Sequence, residues 1–269
     1  MHLKRWITSI IALPFLIFLI YKGGIFFGAL IAVVCLTALC EYFRIAFNPG
    51  AKTVSGIIIL LALIAGQVFI WAAYRENYDL VLCAAALNLI ICGLFSLTQF
   101  KSDPFILENV TKQIQGIIYI PVLLCFLVMI RNSQDGMVWI FLLICVIFSG
   151  DTGAYYVGSY LGKHKLCPSV SPGKTIEGSV GGLAANVVMG TFFKVFFLPM
   201  LPWGLGILFF ISVGVAGQVG DLFESEFKRA ANVKDSGFIL PGHGGMLDRI
   251  DALLFAAPVA YLFKEYILV

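Results

Sequence analysis

The chain has 269 residues, of which 60% are hydrophobic and only 12% charged, with 18 basic and 15 acidic side chains and a net charge of +3. An ordinary soluble domain carries about 25% charged residues; with a mean hydropathy of +0.97 and 24 phenylalanines, the surplus apolar surface of this chain must face lipid. Intrinsic disorder, a secreted disulfide scaffold and a nucleic-acid partner are excluded on the same numbers.

Apolar segments recur along the chain with short polar breaks, and predict spans near 6–21, 25–40, 54–71, 80–100, 114–130, 137–150, 179–199, 203–219 and 252–268. The first pair is separated only by Lys22, Gly23 and Gly24, so one long tilted helix competes with two short ones. The opening Met1-His-Leu-Lys-Arg has the look of a signal peptide, but no small-residue cleavage site ends the segment, and it is read as a retained span. Six of the seven cysteines (Cys35, Cys40, Cys83, Cys92, Cys125 and Cys145) lie in or at the ends of apolar runs, where Cys acts as a small hydrophobe. Only Cys167 is in a polar segment, and no CxxC pair is present.

Nine spans with the N-terminus inside would place thirteen basic residues in the cytoplasm: Lys4, Arg5, Arg44, Lys52, Lys101, Lys112, Lys163, Lys165, Lys174, Lys228, Arg229, Lys234 and Arg249. Five would lie outside, namely Lys22, Arg75, Arg131, Lys194 and Lys264, an asymmetry that the positive-inside rule favours. The fold expected is an all-α, polytopic membrane protein forming one membrane domain over 1–269, with nothing of the strand alternation of a barrel. Residues 1–136 read as mainly scaffold spans, and 137–269 as the spans and loops that carry the active site. Gly158/Gly162 and Gly178/Gly182 have the small-xxx-small spacing that lets helices approach closely, a pattern also common by chance among 27 glycines.

Two polar segments stand out, Asp151 to Gly178 and Gly220 to Asp251, and the second holds ten charged residues. If the eighth helix continues into Asp221-Leu-Phe-Glu-Ser-Glu-Phe-Lys-Arg, then Asp221, Ser225 and Lys228 share one face. A carboxylate, a hydroxyl and an ammonium together suit a metal-bound phosphate. Lys234 to Gly245 contains four glycines and a proline, cannot be a regular helix interior, and offers backbone N–H groups to anions. A helix resumes at Met246-Leu-Asp-Arg-Ile-Asp, with Asp248 and Asp251 on one side. Asp248 by itself also fits N-terminal capping, and His243 fits either phosphate contact or a purely loop-shaping role. With three histidines in the chain, a His-rich zinc site is not available.

The run Ser225 to Asp251, S-E-F-K-R-A-A-N-V-K-D-S-G-F-I-L-P-G-H-G-G-M-L-D-R-I-D, resembles the signature of the phosphatidate cytidylyltransferases (CDP-diacylglycerol synthases) at every fixed position. The chain length, the many spans and the C-terminal place of the motif look like the bacterial members. The resemblance implies transfer of CMP from CTP to phosphatidate, giving CDP-diacylglycerol and pyrophosphate, with Mg²⁺ or Mn²⁺ as the metal. It implies Asp221 and Asp248 as metal-holding residues, and Lys228, Arg229, Lys234 and Arg249 as phosphate-neutralising ones. Asp251 and Asp235 belong to the motif, and His243, Gly244 and Gly245 to its substrate loop. A bacterial inner (plasma) membrane location follows from the same likeness, and the nine-span topology puts both polar segments on the cytoplasmic side. A monovalent cation at one metal position, and a homo-oligomer, are left open.

Ser171-Pro-Gly-Lys-Thr-Ile-Glu-Gly178 resembles another stretch of the family and marks Lys174 and Thr175 as substrate contacts, against the alternative of a solvated surface loop. A P-loop is ruled out there because Pro168 stands where its first glycine would be. Asp151, at the end of an apolar run, joins the list because a carboxylate at membrane depth is a functional candidate by default. The main rival class is a transporter of an anionic or phosphorylated solute, which also uses intramembrane charges and broken helices. Against it stand the crowding of polar residues on one side and the lack of matching halves. A CDP-alcohol phosphotransferase does not fit, since Asp135-Gly136 continues as Met-Val-Trp-Ile.

Overall fold

In the computed structural model, residues 13–47, 56–237 and 244–268 are described. The helices are α1 (Leu13–Lys22), α2 (Gly24–Ala46), α3 (Gly56–Tyr74), α4 (Tyr78–Gln99), α5 (Ile106–Ile117), α6 (Leu123–Asn132), α7 (Gly136–Leu161), α8 (Ile176–Phe196), α9 (Trp203–Ala230) and α10 (Leu247–Leu262). A π-helical turn, Ile118–Val122, joins α5 to α6, and another, Phe263–Ile267, extends α10. Among the described residues, seven helical stretches are long and apolar enough to cross a membrane, with α5 and α6 counted as one. The protein is an all-α, polytopic membrane protein, as its composition requires. The expected nine is not reached on these criteria: α1 is a short apolar helix, α10 has 16 residues, and residues 6–12 of the first predicted span lie outside the described part.

The chain divides into two compact units, Met1–Asn132 with Val233–Asp248, and Ser133–Asn232 with Arg249–Val269. In the first unit α3 is the centre, packed against α2, α4, α5 and α6. Its small residues make this possible: a side chain at Gly66 would meet Leu39 and Cys35 of α2. Pro121 lacks an N–H and its ring clashes with the carbonyl four residues back, which accounts for the π turn inside an otherwise continuous helix. The break between α1 and α2 is real. Gly23 has φ +62° and ψ −154°, a backbone region open essentially to glycine alone. Arg131 fills the space beside it, donating to the carbonyls of Ile20 (2.8 Å) and Tyr21 (3.0 Å) at the end of α1. A cation is favoured at that helix terminus.

In the second unit α7 lies along α8, and α8 along α9. A Cβ on Gly178 would stand 2.8 Å from the Ala154 carbonyl and 3.1 Å from Gly158 Cα, and one on Gly182 would stand 2.8 Å from the Gly150 carbonyl. Gly158, Gly178 and Gly182 therefore form a helix contact, with backbones close enough that only hydrogen fits, whereas Gly162 caps α7 beside Thr175. α10 meets α9 at Gly220, where an added Cβ would stand 2.5 Å from the Asp251 carbonyl, and the Phe223 and Phe255 rings sit 5.4 Å apart above it.

Two boundaries differ from the sequence expectation. The span placed at 137–150 continues as α7 to Leu161, so Asp151 lies inside a helix instead of at its end. α9 runs unbroken to Ala230, which carries Asp221, Ser225 and Lys228 on one helix. Between α7 and α8 the chain also makes a small antiparallel hairpin of β1 (Lys165–Cys167) and β2 (Ser171–Thr175), pairing Lys165 with Thr175 and Cys167 with Ser171.

Candidate active site

A cavity of about 440 Å³ opens in the second unit, walled by the C-terminal part of α7, the hairpin, the start of α8 and the middle of α9. α7 contributes Asp151 and Tyr155, and the glycine contact at Gly158 and Gly178 forms its floor. The hairpin brings Ser171, Gly173, Lys174 and Thr175, and α9 brings Gln218 and Asp221.

Each polar group is held by a local cause. Thr175 caps α8: its hydroxyl accepts the Gly178 N–H at 3.1 Å, while the same residue lines the cavity. It is buried, so the solvated-loop alternative does not hold there. Glu177 accepts the backbone N–H groups of Lys163 (3.1 Å) and His164 (3.2 Å), strapping the hairpin to α8. Gln218 is bound to Ser179, donating to its carbonyl at 3.0 Å and accepting from its hydroxyl. Lys174 Nζ lies 2.6 Å from Asp221 Oδ2, and the Ser225 hydroxyl lies 3.5 Å from Asp221 Oδ1. Asp151 and Asp251 are close enough that their charges act on each other and on Asp221, with Lys174 and Lys228 opposing. Three carboxylates thus share one electrostatic neighbourhood.

Lys228, expected on one face with Asp221 and Ser225, forms its ion pair with Glu224, one turn earlier on α9. Glu224 is fully buried, so this pair is tied to the helix interior. Arg229 reaches the hairpin instead, donating from Nε to the Val170 carbonyl at 3.3 Å.

In the first unit, Asp248 sits at the first turn of α10. Its Oδ2 accepts the N–H groups of Gly245 (2.9 Å) and Ser236 (3.1 Å), both in the loop that precedes α10. Gly244 has φ +84°, a left-handed conformation that glycine adopts without strain, and a Cβ there would come 3.1 Å from Asp248 Oδ2. Lys234 and Asp235 are exposed, as is Arg249. His243 lies outside the described residues. Among the described residues, no three His, Cys, Asp or Glu side chains converge as a metal-ligand group.

Asp151, Lys174, Thr175 and Asp221 are thus brought together in one cavity, with Asp251 in electrostatic reach. Gly244, Gly245 and Asp248 are brought together in the loop. Sequence reasoning passed over Gln218, Ser179, Glu224 and Glu41. Glu224 and Lys228 have the i, i+4 spacing of a helical ion pair, a signal that was available. Glu41 is an acid beside an apolar run, and the rule that marked Asp151 applies to it equally.

The sequence model described as the cytidylyltransferase family matches residues 3–267. A phosphatidate cytidylyltransferase of Bacillus subtilis is 37% identical over 261 residues, 96% of each chain. One from Staphylococcus saprophyticus is 34% identical over 258 residues, covering 95% of this chain and 96% of the relative. A third, from Staphylococcus aureus, is 32% identical over 260 residues with the same coverage. A match that spans nearly the whole chain, and not the signature alone, shows that this protein belongs to the cytidylyltransferase family.

Proposed function

We infer that the protein transfers CMP from CTP to phosphatidate, making CDP-diacylglycerol and pyrophosphate at a membrane. The observation that carries this is family membership over residues 3–267 together with a cavity that unites Lys174, Asp151 and Asp221. The transporter alternative finds no support in the relatives.

In this reaction an oxygen of the phosphatidate phosphate attacks the α-phosphorus of CTP. The α–β phosphoanhydride bond breaks and pyrophosphate leaves with the electron pair. The nucleophile is already an anion, so no general base is needed. The difficulty is charge: two polyanions must meet. Lys174 and Lys228 would neutralise phosphate oxygens, with Arg229, Lys234 and Arg249 acting in the same sense. Thr175, Gly244, Gly245 and His243 would contact phosphate or nucleotide. Asp251 and Asp235 are further candidates on the substrate side.

The carboxylate oxygens of Asp221 and Asp248 are hard donors, and the mutual repulsion of Asp151, Asp221 and Asp251 favours a cation among them. Mg²⁺ keeps several waters and is commonly held by one or two carboxylates plus substrate phosphates, so a three-acid cage is not required. Asp221 and Asp248 are each candidates to hold such an ion, with Mn²⁺ able to substitute and a monovalent cation at a second position left open. When bound, such an ion screens the phosphates and stabilises the departing pyrophosphate. The excess of Lys and Arg in alternate loops supports a cytoplasm-facing site in a bacterial plasma membrane.

The test is purified full-length protein in lipid, supplied with CTP and phosphatidate, with CDP-diacylglycerol and pyrophosphate measured. Metal-dependent, equimolar release of both products is expected. Folded protein that yields neither with Mg²⁺ or Mn²⁺ would overturn the reading.

A further inference from the structure

Glu41 is a buried carboxylate in α2, only 3% exposed, within a helix apolar enough to span a membrane. Burying an ion there is costly unless its oxygens are satisfied. They are. Oε1 accepts the Met246 N–H at 3.0 Å, and Oε2 accepts the Leu247 N–H at 2.9 Å and the Ser236 hydroxyl at 3.1 Å. All of these donors belong to the segment 236–247 of the same unit, and Arg44, one turn along α2, donates to the Ser236 carbonyl. A Cβ on Gly237 or on Gly245 would collide with the Glu41 carboxyl group. Two glycines of the signature are thus side-chain-free where this carboxylate stands.

The contact passes directly to Asp248. Ser236, whose hydroxyl is donated to Glu41, gives its N–H to Asp248 Oδ2 and accepts the Asp248 N–H on its hydroxyl oxygen at 3.3 Å. Gly245, wedged against Glu41, gives its N–H to the same Asp248 oxygen. The Ser236 and Gly245 hydrogen bonds to the Asp248 carboxylate therefore come from residues packed against Glu41.

We propose that Glu41 is a positioning residue for the transfer reaction, fixing the signature loop so that Asp248 is correctly presented; this rests on the function inferred above. It touches no substrate. A misplacement of about 1 Å in a reacting group can cost about 100-fold in rate.

The experiment uses the full chain in lipid with Glu41→Gln, Glu41→Asp and Ser236→Ala, and Glu108→Gln as a control for loss of a surface acid. Three quantities are read: the melting temperature, hydrogen–deuterium exchange of the 233–248 backbone, and kcat and KM for CTP across a Mg²⁺ series. The expected result for Glu41→Gln is a folded protein with faster exchange in 233–248, kcat down about 100-fold, and KM for CTP within about threefold of wild type. The Mg²⁺ concentration for half-maximal rate should rise, and Glu41→Asp should restore part of the rate. Should Glu41→Gln not fold, Ser236→Ala decides, because Glu41 keeps its two backbone donors there. Unchanged kcat in a folded variant, or unchanged exchange in 233–248, would overturn the proposal. Wild-type protein that makes no CDP-diacylglycerol would sink the functional reading separately, while exchange would still report whether Glu41 holds the loop.

Discussion

Lys174 Nζ stands 2.6 Å from Asp221 Oδ2, so a lysine on the second strand of the hairpin and a carboxylate in the middle of α9 face each other across the cavity. Both side chains are about a third exposed, at 29% and 33%, and a pair that open to solvent contributes less than about 1 kcal/mol to stability. On the proposed function, its role is to place a cation where a triphosphate would bind. Lys174→Met is expected to lower kcat/KM for CTP by about 10- to 100-fold, with the melting temperature close to wild type. Lys174→Arg should retain part of the activity. Steady-state kinetics beside a thermal melt checks both halves, and a large drop in melting temperature would recast Lys174 as structural.

On the proposed function, the crowding of Asp151, Asp221 and Asp251 predicts a metal requirement. Stripping divalent cations with EDTA is expected to abolish product formation, and added Mg²⁺ to restore it. Asp221→Asn should leave less than about one part in a thousand of the rate. Asp251→Asn, which removes one repelling charge without removing Asp221, should shift the Mg²⁺ dependence with a smaller loss of maximal rate. If Asp221→Asn turned over normally, its assignment as a metal-holding residue would be wrong.

At the glycine contact between α7 and α8, any side chain must push backbone. Gly178→Ala sets a methyl within 2.8 Å of the Ala154 carbonyl and 2.9 Å of the Thr175 hydroxyl, an overpacking expected to cost about 1–3 kcal/mol. Gly204→Ala, with nothing within 4 Å of the new methyl, is the matched control and should be neutral. Thermal stability in detergent compares the two. The Gly178 variant should also lose activity, because the contact is the cavity floor.

Asn88 and Gln113 make a reciprocal amide pair in the first unit, buried between α4 and α5 at 2.9 and 3.3 Å. Polar pairs of this kind between membrane helices contribute about 0.6 to 2 kcal/mol. Asn88→Leu or Gln113→Leu alone leaves an unsatisfied amide and should destabilise by about 1–3 kcal/mol. The double variant should recover part of that loss. A double-mutant cycle on melting or unfolding measures the coupling directly, and strict additivity would show that the pair does not interact.

Much of this molecule could be read in advance because lipid imposes one simple demand, a long apolar run closed by its own backbone hydrogen bonds. α3, α4 and α8 fall within a few residues of expectation for that reason. The end of α7 was misplaced because Ser149-Gly-Asp-Thr-Gly153 looks like a helix breaker; the glycines are in fact the surface that receives α8. Tertiary contact there overrides local propensity. The hairpin was illegible because Ser171–Thr175 has no alternation and its pairing register is set by residues several positions away. In the site, composition and spacing could not say that Lys174 would pair with Asp221, whereas the Glu224–Lys228 pair was readable from its i, i+4 spacing. Glu41 went unmarked because its span was ended at Cys40, whereas α2 continues to Ala46 and carries the acid indoors.

The partners of Glu41 lie 195 to 206 residues further along the chain, which bears on how the protein is made. At about 5–20 residues per second, a ribosome releases the Ser236 segment about 10 to 40 s after it releases Glu41. Throughout that interval the carboxylate has none of these donors. α2 therefore reaches its final setting only when the last third of the chain has emerged. A nascent chain stalled before residue 236 would hold this acid in α2 without any of the donors that satisfy it in the complete chain.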